Sequence, residues 1–123
     1  MRPDPERCRA VLFGTSDYRD AANLPPIPAV RKNLDDMRAV LSDPNIGLFK
    51  ADHCTLILDE PDLFALGHQL QEAMTSAEDV LLVYFAGHGI IGRRHDLYLG
   101  MPNSNLSNPA LVRLRMMHSA TIS

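Results

Sequence analysis

Residues 79–90, with the sequence DVLLVYFAGHGI, decide the fold of this chain. Six consecutive apolar residues, 80–85, precede Ala86 and the tripeptide Gly87-His88-Gly89. A short apolar run rich in β-branched and aromatic residues is typical of a strand buried on both faces of a parallel sheet. His88 would then follow the carboxyl end of this strand, where open α/β sheets bind ligands. The flanking glycines allow close approach of a substrate. The alternative is a histidine in a turn whose glycines serve the backbone conformation alone.

The residues before this stretch predict two more strands and a helix between them. Apolar runs predict a first strand over residues 9–15 and a second over residues 54–58. After a proline-rich loop, a helix is predicted to begin at Ala29 and to end before Asp43-Pro44. The spacing of four, three and four residues gives this helix one apolar face, formed by Val30, Leu34, Met37 and Leu41.

A second helix and a hairpin complete the predicted elements. Residues 59–62 (DEPD) favour a helix start, because acidic side chains and proline suit the first turn. The apolar face of this second helix is formed by Leu63, Leu66, Leu70 and Met74. Beyond His88, a turn at residues 92–96 and a strand at residues 97–100 (LYLG) predict a hairpin in which the last strand returns beside the third.

The order strand, helix, strand, helix, strand predicts an α/β fold with a parallel sheet. Right-handed crossovers would pack the helices on the faces of that sheet. If the third strand lies on the far side of the first from the second, the strand order reverses between strands one and three. The loop after Gly14 would then lie next to Gly87-His88-Gly89, in the crevice at the carboxyl ends of these strands.

Composition and charge predict at most one soluble domain without nucleic-acid or membrane partners. The 123 residues are 46% hydrophobic and 22% charged, which is an ordinary globular composition. A net charge of -3 provides no basic surface for nucleic acid or an anionic membrane. The first residues, MRPDPERCR, lack the hydrophobic core of a signal peptide, so we expect a cytoplasmic protein.

Metal and cofactor motifs are missing from the sequence. The five histidines contain no pair three or four residues apart; they are His53, His68, His88, His95 and His118. Cys8 and Cys54 lack the CxxC spacing, and we expect both to be reduced, buried or incidental thiols. From these spacings we expect no metal site. No phosphate-binding fingerprint follows the first strand, so we also expect no cofactor. A Rossmann- or flavodoxin-like binding module stays open on topology alone.

The sequence YFAGHG after a hydrophobic strand resembles the histidine motif of the caspase and metacaspase clan of cysteine peptidases. The resemblance covers residues 9–102, including Gly14-Thr15-Ser16 and the helix sequence VRKNLDDMRAVL. Among caspase-like proteins, the sequence most resembles those of actinobacteria. The resemblance implies a three-layer α/β/α caspase-like (caspase-hemoglobinase) fold with an incomplete parallel sheet and helices on both faces. It also implies an extension at residues 1–8 and the N-terminal part of a caspase-like domain at 9–101. The residues of 102–123 themselves predict a polar tail, disordered or aberrant, without another strand.

The chemistry implied by the resemblance is that of a Cys-His dyad. A thiol attacks the scissile carbonyl, His88 acts as general acid/base, and the backbone N–H of Gly89 donates to the oxyanion. The caspase cysteine follows the histidine by about 50 residues, whereas no cysteine follows His88 in this sequence. We therefore expect a truncated part of a cysteine-type endopeptidase, inactive alone, that acts on a peptide or protein substrate if completed by a C-terminal half. The alternative is a non-catalytic pseudoenzyme or a protein-interaction module.

Substrate specificity and self-association are the last two expectations. Caspases bind an acidic side chain with a basic residue, and metacaspases bind Arg or Lys with acidic residues. The charged residues near the predicted crevice match neither pocket and are expected to be solvated; they are Asp17, Arg19, Asp20, Asp35 and Asp36. An incomplete sheet leaves an apolar edge, through which we expect self-association.

Overall fold

A three-stranded parallel sheet forms the centre of the protein. The computed structural model describes residues 3–91 and 96–104 and the backbone of 112–114. Strands β1 (Cys8–Gly14), β2 (Cys54–Leu58) and β3 (Val80–Ala86) lie in the order β2-β1-β3. Both pairings of β1 are parallel. The third strand thus lies on the far side of the first from the second, which meets the condition for a reversal of strand order between strands one and three.

Two helices cover opposite faces of this sheet. Helix α1 (Ala29–Leu41) packs Val30 and Leu34 against Leu12 of β1. Helix α2 (Leu63–Ser76) packs Leu66 and Ala73 against Val11 and Phe13, the neighbours of Leu12. Since successive strand residues point to opposite faces, the two helices lie on the two sides of the sheet. The three-layer order of helix, sheet and helix agrees with the prediction, and single 3-10 turns at Pro5–Arg7 and Ala51–His53 precede β1 and β2.

Strand β3 is less buried than its sequence predicts. Among the described residues it forms an edge of the parallel sheet, most of its side chains are half-buried, and Leu81 is 36% exposed. The strand that is buried on both faces is β1, where only Arg9 is not fully buried. The prediction that residues 80–85 are buried on both faces is therefore wrong. An apolar run indicates a buried environment but does not indicate which strand has neighbours on both sides.

Helix α2 begins where the sequence predicts but shows a different apolar face to the sheet. The side chain of Asp62 caps the helix by accepting a hydrogen bond from Phe64 N at 2.9 Å. Leu66 and Ala73 are buried, whereas Leu63 and Met74 are 38% and 58% exposed. The face that contacts the sheet is therefore rotated toward Ala73, and it keeps Leu66 and Leu70 of the predicted face.

A second, antiparallel sheet follows His88. Strands β4 (Gly89–Ile91), β5 (Leu97–Leu99) and β6 (Val112–Leu114) lie in the order β4-β5-β6. The predicted hairpin exists, but β5 pairs with β4 and not with β3, because the chain changes direction at Gly87-His88. The predicted turn lies almost wholly outside the described residues.

The segment after residue 101 contributes to the fold. Met101 and Ser104 are buried, and β6 pairs antiparallel with β5. The expectation that the chain ends without another strand is therefore wrong; the β-branched residue Val112 begins that strand. Residues 105–111 and 115–123 of the predicted tail lie outside the described part of the chain.

Candidate functional site

His88 lies at the carboxyl edge of the parallel sheet, two residues after the end of β3. The residue is half-buried, so its ring is neither enclosed in the core nor fully solvated. The loop after β1 reaches the same edge, where Thr15 N donates to Ala86 O at 3.1 Å. The predicted juxtaposition of this loop with Gly87-His88-Gly89 is confirmed.

Tyr18 anchors the backbone of His88. The Tyr18 hydroxyl oxygen accepts a hydrogen bond from His88 N at 2.7 Å, and the two ring centroids are 4.9 Å apart. The tyrosine is 6% exposed. Burial raises the pKa of Tyr18, which the hydrogen bond from His88 N partly offsets. The hydroxyl is therefore neutral at physiological pH and serves as a fixed acceptor.

The carbonyl of Pro25 fixes the imidazole of His88. His88 Nε2 lies 2.8 Å from Pro25 O, and a carbonyl oxygen can only accept. Nε2 must therefore carry the hydrogen, which in the neutral ring leaves the lone pair on Nδ1. The proline-rich loop is itself held by hydrogen bonds from Leu24 N to Asp20 O and from Ile27 N to Ser16 O, both 2.8 Å.

Gly87 permits the close contact between Tyr18 and the histidine loop. Its φ of 155° lies in a region that other residues rarely adopt. A Cβ atom at this position would lie 2.7 Å from Phe85 Cζ and 2.8 Å from the Tyr18 hydroxyl oxygen. The first glycine of the GHG motif is therefore required by packing as well as by backbone conformation.

The N–H of Gly89 points away from β5. Gly100 N donates to His88 O at 2.8 Å, so His88 lies opposite Gly100 at a bonded position of the antiparallel ladder, although its own N–H donates to Tyr18. The next pair, Gly89 and Leu99, is then of the non-hydrogen-bonded kind. Since Gly89 is exposed, its N–H lies at the accessible edge of β4, one residue from the imidazole.

Asp59 closes the crevice on the side of β2. It adopts a left-handed φ of 55° and follows the end of β2. Its carboxylate accepts hydrogen bonds from Ser16 N at 2.7 Å, Ser16 Oγ at 2.6 Å and Asp17 N at 3.2 Å. Sequence reasoning placed Asp59 in the helix-start signal, whereas the structure uses it to hold the loop that carries Tyr18.

The two thiols lie at the opposite end of the sheet from His88. Cys8 begins β1, Cys54 begins β2, and both are buried in one apolar cluster. Cys8 is in register with Val80, and a seven-residue strand spans about 20 Å. Burial raises the pKa of both thiols. Neither sulfur can therefore reach a carbonyl held beside His88.

Charged residues around the loop are mostly solvated. Asp17, Arg19, Asp35 and Asp36 are exposed, and Asp20 is half-buried. Across the described ranges, no group of three or more His, Cys, Asp or Glu side chains could hold a metal ion. His95 and His118 lie outside those ranges. In the same ranges, no helix combines the length and apolarity that crossing a bilayer requires.

Sequence reasoning missed two of the groups that surround His88, the Tyr18 hydroxyl and the Pro25 carbonyl. The strand order indicated that the loop after Gly14 approaches the histidine, but no spacing rule indicated which residues of that loop make contact. The sequence feature that could have indicated the contact is Tyr18, the aromatic residue four positions after Gly14 in GTSDYR.

Comparison of the chain with protein-family models, with curated proteins and with solved structures found no match. The family resemblance therefore rests on the YFAGHG motif and the strand order.

Proposed function

We propose that this chain is the histidine-bearing part of a caspase-like cysteine-type endopeptidase. His88 acts as the general acid/base, and the N–H of Gly89 stabilises the oxyanion. The observation that carries the proposal is the hydrogen bond between His88 Nε2 and Pro25 O, which leaves Nδ1 as the ring atom able to transfer a proton.

Anchoring one ring nitrogen makes the imidazole an oriented base. Nδ1 takes the proton from an attacking thiol and then delivers it to the leaving amine of the peptide. When the ring becomes an imidazolium, Nε2 keeps its hydrogen bond to Pro25 O, and the carbonyl dipole stabilises the positive charge. The Tyr18 hydroxyl holds the backbone of His88 while the charge on the ring changes.

The Gly89 N–H is the group that stabilises developing negative charge. It points away from β5, so it is oriented to donate to an oxygen outside the sheet. A single donor of this kind accounts for about 10²–10³ in kcat in acyl-transfer enzymes. Two consecutive residues thus supply both groups, the imidazole of His88 for proton transfer and the N–H of Gly89 for the oxyanion.

The attacking thiol comes from a segment other than those in this sequence. No cysteine follows His88, and Cys8 and Cys54 are buried at the far end of the sheet. The chain alone is therefore inactive in peptide hydrolysis, and a peptide or protein becomes its substrate when a cysteine-bearing segment completes the site. We also propose a cytoplasmic location, which the two free cysteines support.

The decisive experiment joins the chain to the polypeptide encoded directly downstream of codon 123, in each reading frame. Fluorogenic peptides with acidic or basic residues before the scissile bond report hydrolysis. One frame should supply a cysteine and confer activity, and His88→Ala should then lower kcat about 10²–10⁴-fold. His68→Ala, on the exposed face of α2, is the matched control. Activity that survives His88→Ala, or no cysteine-bearing strand in any frame, would overturn the proposal.

A second experiment uses the chain as it stands. A peptide carrying a thiol-reactive electrophile should label neither cysteine of the folded chain. Labelling of Cys54 that depends on His88 would contradict the assignment, since it would require a nucleophile at the wrong end of the sheet.

A pseudoenzyme or interaction module is the second candidate function. The observation that favours it is that Cys8 and Cys54 are buried at the end of the sheet opposite His88. In this case the crevice beside His88 binds a peptide without cutting it, and no downstream frame restores hydrolysis. Peptide binding that shifts the amide resonances of His88 and Gly89, without turnover in any of the joined chains, would support this function.

A further inference from the structure

Strand β3 presents an unprotected edge. Within the described residues β3 pairs with β1 on one side only. Its seven residues, VLLVYFA, contain no charge and no proline, which are the usual devices that keep sheet edges from pairing. Leu81 is 36% exposed, so the edge is also accessible through its side chains.

The hydrogen-bonding direction of each β3 residue follows from one contact. Ala86 O accepts from Thr15 N, so the polar groups of Ala86 point toward β1. Because the direction alternates along a strand, Tyr84 and Leu82 also point toward β1. The N–H and C=O groups of Leu81, Val83 and Phe85 therefore point away from β1, toward the free edge.

We propose that this edge pairs with β3 of a second copy of the chain, antiparallel, about a two-fold axis at Val83. The two copies of Val83 then exchange a pair of N–H to C=O hydrogen bonds, and Leu81 of each copy does the same with Phe85 of the other. All six outward-pointing N–H and C=O groups of each copy find partners. The proposal concerns the chain on its own, because a cysteine-bearing strand that completed the sheet of the proposed peptidase would compete for the same edge.

The side chains of β3 are complementary to a second copy in this register. Leu81 lies opposite Phe85 on one face, and Leu82 lies opposite Tyr84 on the other. Each face therefore gains aliphatic–aromatic cross-strand pairs, which are among the favourable pairings in antiparallel sheets. Val83 and Phe85 already pack against the cluster beneath α2, so the pairing extends that core across the axis.

Charge favours the antiparallel arrangement over the parallel one. Glu78 and Asp79 lie directly before β3, and both have their backbone N–H groups bound to Arg7 O. Arg7 pairs with both carboxylates at 3.2 Å, so this end of β3 keeps a net negative charge. Parallel pairing would place that charge beside its own copy, where like charges repel. Antiparallel pairing separates them to opposite ends of the strand pair.

The register is tested by disulfide crosslinking. Only a residue on the two-fold axis meets its own copy, and directly opposed residues lie about 4.5–5.5 Å apart between Cα atoms, within the range for a disulfide. Val83→Cys should crosslink to itself on oxidation, whereas Leu82→Cys and Tyr84→Cys should crosslink only when the two variants are mixed. The wild type, whose two cysteines are buried, is the background control. Equal self-crosslinking at all three positions, or none at Val83, would overturn the proposed register.

A proline variant tests the edge itself. The N–H of Val83 is not used in pairing with β1, so Val83→Pro removes an outward donor without breaking the parallel sheet. In sedimentation equilibrium the wild type should show a concentration-dependent doubling of mass, which Val83→Pro abolishes and Val83→Thr keeps. Circular dichroism establishes that the variants are folded. A wild type that stays monomeric, or a folded Val83→Pro protein that still dimerises, contradicts the proposal.

Discussion

The hydroxyl oxygen of Tyr18 accepts a 2.7 Å hydrogen bond from the backbone N–H of His88. Seventy residues separate the two in sequence. The contact joins the loop after β1 to the turn after β3, and it fixes the backbone from which the imidazole projects. The orientation of the candidate base therefore depends on a side chain from another part of the chain.

Removing the Tyr18 hydroxyl should destabilise the protein while leaving the ring packing intact. Tyr18→Phe leaves the half-buried N–H of His88 without its acceptor, which costs about 1–3 kcal/mol of unfolding free energy. Urea denaturation measures the loss. Tyr84→Phe, a half-buried tyrosine of β3, is the matched control and should change stability by less than about 0.5 kcal/mol. Equal effects of the two variants would contradict the role of this contact.

Two glycine-to-alanine substitutions should have opposite effects on stability. Gly87→Ala brings a methyl group against Phe85 and Tyr18 in a strained backbone conformation, and should cost about 2–4 kcal/mol. At Gly67, in the middle of α2, a Cβ has nothing within 4 Å. Gly67→Ala should therefore stabilise the protein by about 0.5–1 kcal/mol through helix propensity. Thermal or chemical unfolding of both variants gives the comparison, and a neutral Gly87→Ala would count against the packing described for that turn.

Substitutions at Asp59 separate its hydrogen bonds from its backbone conformation. Asp59→Ala loses three hydrogen bonds and retains an unfavourable left-handed φ, at a cost of about 2–4 kcal/mol. Asp59→Gly relieves the backbone and should be less destabilising than alanine. Asp59→Asn keeps an acceptor and tolerates the conformation, so it should cost least. Urea denaturation ranks the three variants, and an alanine variant as stable as asparagine would refute this interpretation.

The stability of the protein should decrease at alkaline pH, in part because of Tyr18. Burial raises the pKa of Tyr18 above its ordinary value of 10.0. The unfolded chain therefore releases this proton first, so the contribution of Tyr18 is complete below about pH 10 and declines as the pH rises toward the folded-state pKa. Tyr18→Phe should show a shallower decrease between about pH 9 and 11 than the wild type. Parallel curves for the two proteins would show that Tyr18 does not contribute.

The neutral imidazole of His88 should be the Nε2–H tautomer. Long-range ¹H–¹⁵N spectra distinguish the protonated ring nitrogen from the unprotonated one in a neutral histidine. His88 should show a protonated Nε2, because Pro25 O can only accept. Its resonances are assigned by comparison with the His88→Ala variant. A protonated Nδ1 in the neutral ring would remove the support for Nδ1 as the proton-transfer atom.

The strands and helices of the parallel sheet were predictable because their apolar spacing is a local property. β2 matches the prediction at both ends and β1 is displaced by one residue, while α1 begins at Ala29 because the proline-rich loop precedes it. These features follow from residues close together in sequence. The strand order depends on pairing between distant segments, so it was predictable only as a condition, the one under which a crevice forms at the carboxyl edge.

The contacts of the candidate site were not predictable, because they depend on loop conformation. The site combines a tyrosine hydroxyl and a proline carbonyl from the loop between β1 and α1 with a histidine from the turn after β3. Backbone carbonyls have no sequence signature, and Asp59 has the sequence context of a helix-start residue although its φ is left-handed. The exposure of β3 was likewise missed, since an edge strand and a central strand can share one apolar pattern.

Gly14 ends β1 where three parts of the molecule converge. A Cβ there would lie 2.6 Å from Ala86 O, 2.7 Å from Val30 Cγ1 and 3.2 Å from Leu34 Cδ1. A single hydrogen atom in place of a methyl group thus sets how near the first helix and the histidine-bearing turn come to each other. Replacing Gly14 by any other residue would displace both of them, so the distance between the two walls of the crevice depends on this one position.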